Sequence, residues 1–305
     1  MLIDTHAHLN FNGYKGDFEE VIKRTLENDV WVINVGSQYE TSKKAAEIAE
    51  RYEKGVYAAV GLHPIHLAEG IFKVKMDKEE TAFQTKNENF DYEKYKGLAQ
   101  LKKVVAIGET GLDYYYRPKT KIKLEQFKNK QKEVFLKHLE LAMELKLPVI
   151  FHCRMAHQDL IEVLNSKFNH STSLRVDGEQ SRTIKNQKSK IAGVIHCFTG
   201  TWEQAGQYLE MGLYLGFNGI IFKPAPYRTD GSGAGLNLDE IIKKTPLERI
   251  LIETDCPYLV PPPMSGRNEP LYVKYVAEKI AKIKNLSFEE ISEITTGNAK
   301  KLFNL

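Results

Sequence analysis

Cysteines, long apolar runs and a marked charge imbalance are all missing or scarce in this sequence. Only three of the 305 residues are cysteine, too few for the disulfide framework that holds small secreted domains together. No apolar run approaches the roughly 18 residues that a membrane-spanning helix needs, and the first residues show no apolar signal-peptide core. We therefore expect a protein of the cytoplasm without a membrane partner.

The charge balance excludes little. The formal net charge is +3, whereas a nucleic-acid-binding domain is often recognised by a strongly basic composition. A nucleic-acid partner is therefore neither indicated nor excluded by charge. The 42% of hydrophobic residues suffices for a full-sized core. The length suits two small domains or one barrel of about 250 residues with insertions.

Short β-rich runs alternate with helical stretches along the whole chain, a pattern typical of βαβ units and a parallel sheet. The predicted strands are Leu2–His6, Val30–Val35, Val56–Gly61, Val104–Gly108, Val149–His152, Ala192–Cys197, Leu213–Asn218 and Ile250–Asp255. Eight such units without a compositional break predict one α/β domain over residues 1–305, a (β/α)8 TIM barrel with additional C-terminal helices. Ser287 and Glu290 form a capping box that starts the last helix.

Two stretches do not follow the alternation. Residues 69–97 are polar and rich in Lys and Glu, and residues 168–190 combine Lys and Arg with Ser, Asn and Gln. Long irregular connections in a compact domain are functional or disordered. We interpret both as inserted surface loops.

Side chains of the types that bind metals stand at the ends of five predicted strands. They are His6, His8, Glu109, His152, His196 and Asp255. Residues two apart on a strand point the same way, and the carboxyl ends of parallel barrel strands share one rim, where barrel enzymes have their active sites. Four imidazoles and two carboxylates at one rim can hold two divalent ions with one carboxylate as a bridge.

The cysteines each follow one of these residues directly. Cys153 follows His152, Cys197 follows His196, and Cys256 follows Asp255. Strand alternation predicts that all three thiols point away from the barrel axis, toward the helices. There a small buried thiol is inert.

Seven motifs in this order resemble the TatD-like metal-dependent DNases of the amidohydrolase superfamily. They are Ile3–Leu9, Gly61–Pro64, Ile107–Tyr114, Pro148–Arg154, His196–Gly200, Glu253–Leu259 and Gly266–Pro270. The resemblance runs from Met1 to the C-terminus and leaves out only the two proposed insertions. It is specific for the family and much less specific for the substrate.

The resemblance implies a division of the ligands between two metals. His6, His8 and Asp255 hold one ion, and His152 and His196 hold the other. Glu109 bridges them, where related barrels use a carboxylated lysine.

The resemblance also implies Mg²⁺-dependent nuclease activity, since members of the family are mostly exonucleases acting on DNA or RNA. We expect single-stranded ends as the substrate. By ligand type alone, four imidazoles suit Zn²⁺ or Mn²⁺ better than Mg²⁺.

Further residues have expected roles in phosphodiester hydrolysis by a metal-activated water. Asp255 is the expected general base. Arg154, two residues beyond His152, is expected to clamp a phosphate with two hydrogen bonds, although a salt bridge at the rim is the simpler alternative. His63 is a second candidate substrate contact.

Other polar residues have plainer expected roles. Asp113 is expected to orient a ligand histidine or to cap its loop, and Glu253 to form buried hydrogen bonds. His138 and His157 are expected at the surface. Tyr114, Tyr115 and Tyr116 could stack bases or pack at the rim.

Two other functions fit the same scaffold, because a fold does not determine a substrate. The chain could hydrolyse a small ester, lactone or amide, or it could be a barrel that binds metal without catalysis. The complete set of ligand-type residues argues against the second alternative.

Overall fold

Every strand pairing of the sheet is parallel, in the order of the chain from first to last. The structure, a computed structural model, describes residues 1–68, 88–168, 191–223 and 236–305. The strands are β1 Leu2–Ala7, β2 Val30–Val35, β3 Val56–Val60, β4 Val104–Asp113, β5 Val149–Arg154, β6 Gly193–Ile195, β7 Tyr214–Phe217 and β8 Ile250–Ile252. A bridge between Ala7 and Cys256 connects the two edges. The prediction of a (β/α)8 barrel is confirmed.

Helices connect consecutive strands, and further helices follow β8. Those of the described residues are α1 Phe18–Glu27, α2 Tyr39–Glu50, α3 Tyr92–Ala99, α4 Lys121–Leu145, α5 His157–Phe168, α6 Trp202–Glu210, α7 Leu238–Lys244, α8 Val273–Lys284 and α9 Phe288–Phe303. The capping box predicted for Ser287 and Glu290 is present at the start of α9. Among the described helices, none is both long and apolar enough to cross a membrane.

The strand ends differ most from the prediction. Strand β4 continues five residues beyond Gly108, because Gly108 and Gly111 adopt positive φ angles of 155° and 150°. A side chain at Gly111 would lie 2.0 Å from the carbonyl oxygen of His152, so glycine lets the two strands stay paired there.

Strands β6 and β8 are shorter than predicted, because side chains replace their ladder partners. The N–H of Cys197 donates to Glu253, and the N–H of Thr254 donates to Asp4. Carboxylates thus accept hydrogen bonds that a neighbouring strand would otherwise accept.

The inserted loops lie mostly outside the described residues. The predicted insertion at 69–97 extends too far, since residues 92–97 belong to α3, an ordinary connecting helix between β3 and β4. Of the predicted insertion at 168–190, only Phe168, the last residue of α5, is described.

The smaller of two apolar clusters lies along one face of the strands. It includes Ile33, Ile150, Val194 and Leu251, and the end of α9 packs against it through Phe303. Strand alternation carries this face from Ile150 to His152 and from Val194 to His196. The barrel core therefore leads directly to the proposed ligands at the carboxyl ends of the strands.

His138 and His157 are buried, so their expected surface positions are wrong. His138, in α4, is fully buried. Its Nε2 accepts a hydrogen bond from the N–H of Leu62 at 3.0 Å, and its Nδ1 lies 2.9 Å from the carbonyl oxygen of Val134. His138 therefore holds the loop that carries His63, a tertiary role that helical periodicity could not indicate.

This burial predicts a pH-dependent stability. Burial lowers the pKa of His138 to about 4, against the smaller, opposite effect of the bond to Val134. In the unfolded chain His138 is protonated below about pH 6.5, whereas in the folded protein it stays neutral down to about pH 4. The free energy of unfolding should therefore fall as the pH drops from about 6.5 to 4, by up to about 3 kcal/mol. In His138→Gln the free energy of unfolding should depend less steeply on pH, because one proton fewer is taken up on unfolding. Urea unfolding across that pH range measures the two slopes. Equal slopes for both proteins would contradict a neutral, buried His138.

Candidate metal centre

The first group of ligand-type side chains stands where β1 meets the end of β8. The Nε2 atoms of His6 and His8 lie 3.2 Å apart. Asp255 Oδ1 lies 3.4 Å from Nε2 of His8 and 4.0 Å from Nε2 of His6. The three side chains thus present their donor atoms to a single point, as the spacing of His6 and His8 predicts.

Glu109 occupies the centre of the cluster, with its two oxygens facing different neighbours. Oε2 lies 3.4 Å from Nε2 of His6. Oε1 lies 2.6 Å from Nδ1 of His152, and 3.6 Å from Nε2 of both His196 and His63. This is the geometry expected of a carboxylate shared between two sites.

The grouping of the other histidines differs from the one that the resemblance implies. Potential ligand atoms within 4.8 Å of one another unite His196 with His6 and Glu109. His152 instead groups with His63 and Asp113, and its ring centre lies 6.4 Å from that of His196. All six predicted side chains meet at one rim, where Oε1 of Glu109 is the neighbour that His152 and His196 share.

Comparison with known proteins agrees with this fold. The family model described as TatD related DNase matches residues 3–304. The chain belongs to this family. It is therefore a metal-dependent hydrolase of the TatD type.

Two relatives and one solved structure illustrate the TatD likeness. The chain is 40% identical to the uncharacterized metal-dependent hydrolase YabD of Bacillus subtilis, with 100% of each protein covered. It is 30% identical to the 3′–5′ ssDNA/RNA exonuclease TatD of Pantoea ananatis, again with 100% of each covered. The crystal structure of YjjV, a TatD homologue of Escherichia coli, superposes with a TM-score of 0.74 at 26% identity, covering 100% of this chain and 98% of that one.

Buried oxygen atoms lie beside Nδ1 of two histidines of the cluster. Nδ1 of His8 lies 2.9 Å from the carbonyl oxygen of Val35, and Nδ1 of His196 lies 2.8 Å from Oε1 of Glu253. A neutral imidazole that keeps its proton on Nδ1 has its Nε2 lone pair free for a metal. The donor set therefore fits divalent cations, and Glu253 has the buried hydrogen-bonding role expected of it.

The carboxylates at this rim determine its electrostatics. Burial disfavours charged imidazoles, yet Glu253 and Glu109 outweigh it and raise the pKa of His196 to about 10. Glu109 and Asp113 likewise overcome burial and raise the pKa of His152 to about 9. Burial also opposes the charge of Glu109, but the surrounding histidines keep its pKa well below the usual value. A divalent cation would displace the protons that this field holds.

His63 is oriented as a hydrogen-bond donor rather than as a metal ligand. Its Nδ1 accepts a hydrogen bond from the N–H of Ile65 at 3.0 Å, so the neutral ring carries its proton on Nε2, the nitrogen that faces Glu109. Burial and the neighbouring His152 lower the pKa of His63 well below its usual value. His63 therefore presents a neutral N–H to the rim.

Arg154 is exposed beside the cluster, at the end of β5. Its guanidinium lies 3.6 Å from the ring centre of Tyr115. Within the described part of the chain no carboxylate approaches it within 4.0 Å, so the alternative of a rim salt bridge finds no partner there.

Asp113 meets both of its expected roles, since Oδ2 lies 3.2 Å from Nε2 of His152 and Oδ1 accepts the N–H of Tyr115.

The orientation predicted for the cysteines is wrong for one of the three. Cys153 and Cys256 are buried, but Cys197 is only partly buried. Its thiol lies among the potential ligand atoms of His196 and Asp255. Strand β6 ends at Ile195, and Cys197 has a φ angle of 46°, so strand alternation no longer determines where its side chain points.

Asp4 was not among the residues predicted from the sequence, although it connects the ends of β1 and β8 at this rim. Its carboxylate accepts hydrogen bonds from the N–H and the hydroxyl of Thr254 and from the N–H of His6. These bonds tie the end of β1 to the end of β8. The available signal was an acidic residue in the middle of a buried strand, which is rare unless it has partners.

The position of Glu109 predicts how metal content responds to substitution. Because its oxygens face both groups, Glu109→Gln should reduce binding at every site, whereas His196→Ala should leave the group of His6, His8 and Asp255 able to bind. The measurement is metal content by atomic emission after saturation and dialysis, with the exposed Glu248→Gln as control and circular dichroism to verify folding. Wild-type metal content in a folded Glu109→Gln protein would contradict the bridging role.

Proposed function

We propose that this TatD-family hydrolase is a divalent-metal-dependent nuclease, a DNase of exonuclease type that cleaves single-stranded ends of DNA or RNA. The observation that carries the proposal is Arg154, exposed and without a carboxylate partner among the described residues, next to a cluster of imidazoles and carboxylates. A neutral ester has no anionic charge in its ground state for such a cation to clamp, whereas a phosphodiester is anionic throughout and needs its charge neutralised. The name of the Pantoea relative, a ssDNA/RNA exonuclease, supports the same substrate class.

Six residues would hold two divalent ions. They are His6, His8, Glu109, His152, His196 and Asp255. The family resemblance points to Mg²⁺, and the four imidazoles to Zn²⁺ or Mn²⁺. When bound, the ions would supply Lewis-acid activation of the phosphodiester and of the attacking water.

Asp255 is the general base in this proposal. Burial alone would raise its pKa, but the hydrogen bond to His8 and the charges of nearby histidines keep the pKa of Asp255 below its usual value. It is therefore ionised at neutral pH and can accept the proton of the attacking water. Its side chain is 16% exposed, against 6% for Glu109, so water reaches Asp255 more easily.

Two side chains would bind the phosphate itself. Arg154 offers a planar pair of N–H donors to two phosphate oxygens. The Nε2–H of His63 offers one further hydrogen bond from a neutral ring, because Ile65 occupies its other nitrogen. Arg154 and His63 are the two substrate contacts expected from the sequence, and each has a hydrogen-bond donor to offer to the phosphate.

The central experiment compares substrate classes under metal reconstitution. Protein stripped with chelator is given Mg²⁺, Mn²⁺ or Zn²⁺ and tested on single-stranded oligonucleotides labelled at either end, and on lactones, esters and amides. Metal-dependent release of nucleotides from one end, abolished in Glu109→Gln, is expected. Turnover of a lactone, ester or amide without any cleavage of oligonucleotides would refute the nuclease, and binding of metal without turnover would indicate a non-catalytic barrel.

The clamp assigned to Arg154 predicts a graded loss of activity. Arg154→Lys keeps the charge but not the planar two-point contact, so turnover of oligonucleotides should fall. Arg154→Ala should be worse, by about 10- to 1,000-fold. Metal content and melting temperature should stay close to wild type. Steady-state kinetics on one end-labelled oligonucleotide measure this, and an unchanged rate for Arg154→Ala would remove Arg154 from the mechanism.

A further inference from the structure

A short basic segment connects β4 to the first turn of α4. Residues 117–123 contain Arg117, Lys119, Lys121 and Lys123 and no acidic residue. All four side chains belong to exposed residues. This run, called the basic segment below, concentrates positive charge that the modest net charge of the whole chain conceals.

Among the described residues, the basic segment differs from lysines further along α4 in lacking counter-charges. Further along the helix, Lys132 pairs with Asp159 at 2.8 Å and Lys137 pairs with Glu133 at 2.8 Å. For the four cations of the basic segment, the described ranges contain no carboxylate within 4.0 Å. Their charge is therefore available to an external anion.

The arrangement also opposes the stability of its own helix. The N-terminus of a helix carries partial positive charge and favours acidic side chains. Helices α1, α7 and α9 follow this rule with two acidic residues each in the first turn. The first turn of α4 has none and instead contains Lys121 and Lys123. A local preference that is violated without compensation in the fold indicates a functional constraint.

Hydrogen bonds hold Tyr115, two residues before the basic segment, beside the metal centre. Asp113, whose Oδ2 faces His152, accepts the N–H of Tyr115 at 2.8 Å. Gln131 of α4 exchanges two hydrogen bonds with the backbone of Asp113, which fixes the helix against β4. Arg154 packs on Tyr115. A polymer held at the metal centre therefore meets Arg154 and Tyr115 first and the basic segment next.

Two exposed aromatic rings lie between the metal centre and the lysines. Tyr115 is 48% exposed and Tyr116 is 39% exposed, and their ring centres lie 4.7 Å apart in an edge-to-face arrangement. Exposed rings beside unpaired cations are the elements with which proteins bind single strands, because unpaired bases can stack on them. A duplex keeps its bases stacked internally and would use only the charges.

We propose that Tyr115, Tyr116 and the basic segment form the binding surface for the single-stranded nucleic acid adjacent to the bond that is cut. The inference rests on the proposed nuclease function and adds the path that the strand takes. Arg154 contacts the phosphate at the metal centre, the tyrosines contact bases, and the lysines contact successive phosphates along the start of α4.

A pair of triple variants with equal charge tests this surface. The first is Lys119→Gln/Lys121→Gln/Lys123→Gln. The matched control lowers the net charge equally at exposed lysines of α1, α2 and α9, as Lys23→Gln/Lys43→Gln/Lys301→Gln. Each protein, loaded with the activating metal, is assayed on an oligothymidylate over a range of salt concentrations and on bis(p-nitrophenyl) phosphate, a phosphodiester too small to reach the basic segment.

The expected result separates the surface from the chemistry. On oligothymidylate the first variant should show a raised KM, up to about 100-fold at about 0.1 M salt, with kcat retained. The slope of log affinity against log salt should be shallower by about 2, since each phosphate contact contributes about 0.7. Rates on the small phosphodiester should equal wild type, and the control variant should behave as wild type on both substrates.

Three outcomes would overturn the proposal. Wild-type kinetics of the first variant on oligothymidylate would remove the basic segment from the strand path. Equal losses in both triple variants would reduce the effect to net charge. Equally tight binding of oligothymidylate, poly-glutamate and anionic vesicles by wild type, measured by fluorescence anisotropy and co-sedimentation, would indicate general anion binding. Absence of cleavage of both phosphodiesters by wild type would instead refute the proposed nuclease, while the anisotropy measurement would still report on the surface.

Discussion

A buried carboxylate at the mouth of the barrel is the constraint on which the rest of the site depends. Glu109 is almost inaccessible to water, and an isolated charge there would be costly. It is tolerated because His6, His63, His152 and His196 all point at it. Three of these imidazoles, those of His6, His152 and His196, are also proposed metal ligands, and Glu109 is the ligand that they would share. The side chains that stabilise the buried charge of Glu109 are therefore largely the same ones that would bind the metals.

Carboxylates that never face the substrate hold this arrangement in place. Asp4 binds the backbone after β8, and Glu253 binds the backbone after β6 and Nδ1 of His196. Both replace hydrogen bonds of the sheet just where the strands end. The barrel thus changes from regular strands to individually oriented ligands within two or three residues, and the N–H groups of Cys197 and Thr254 still have acceptors there.

Charge is distributed unevenly between the interior and the rim. Inside the mouth the carboxylates attract cations, while outside it Arg154 and the lysines at the start of α4 attract anions. The proposed phosphodiester substrate would use both, since its oxygens would face the metal ligands on one side and the rest of the polymer remains negatively charged. The small net charge of the chain indicates neither the acidic interior of the mouth nor the basic surface outside it, because the two contributions largely cancel.

The sequence by itself determined the barrel, the strand positions and the six side chains that meet at the rim, because strand alternation and strand ends are local properties. It also determined the family, whose motifs cover the chain. Only the tertiary structure decided which nitrogen of His63 carries a proton, because that depends on the N–H of Ile65 in a tight turn. It also decided that the ring of His152 lies between Glu109 and Asp113, and that His138 is buried and accepts the N–H of Leu62. The thiol of Cys197 turned toward the metal centre because its backbone leaves the strand, and alternation predicts orientation only while a strand continues.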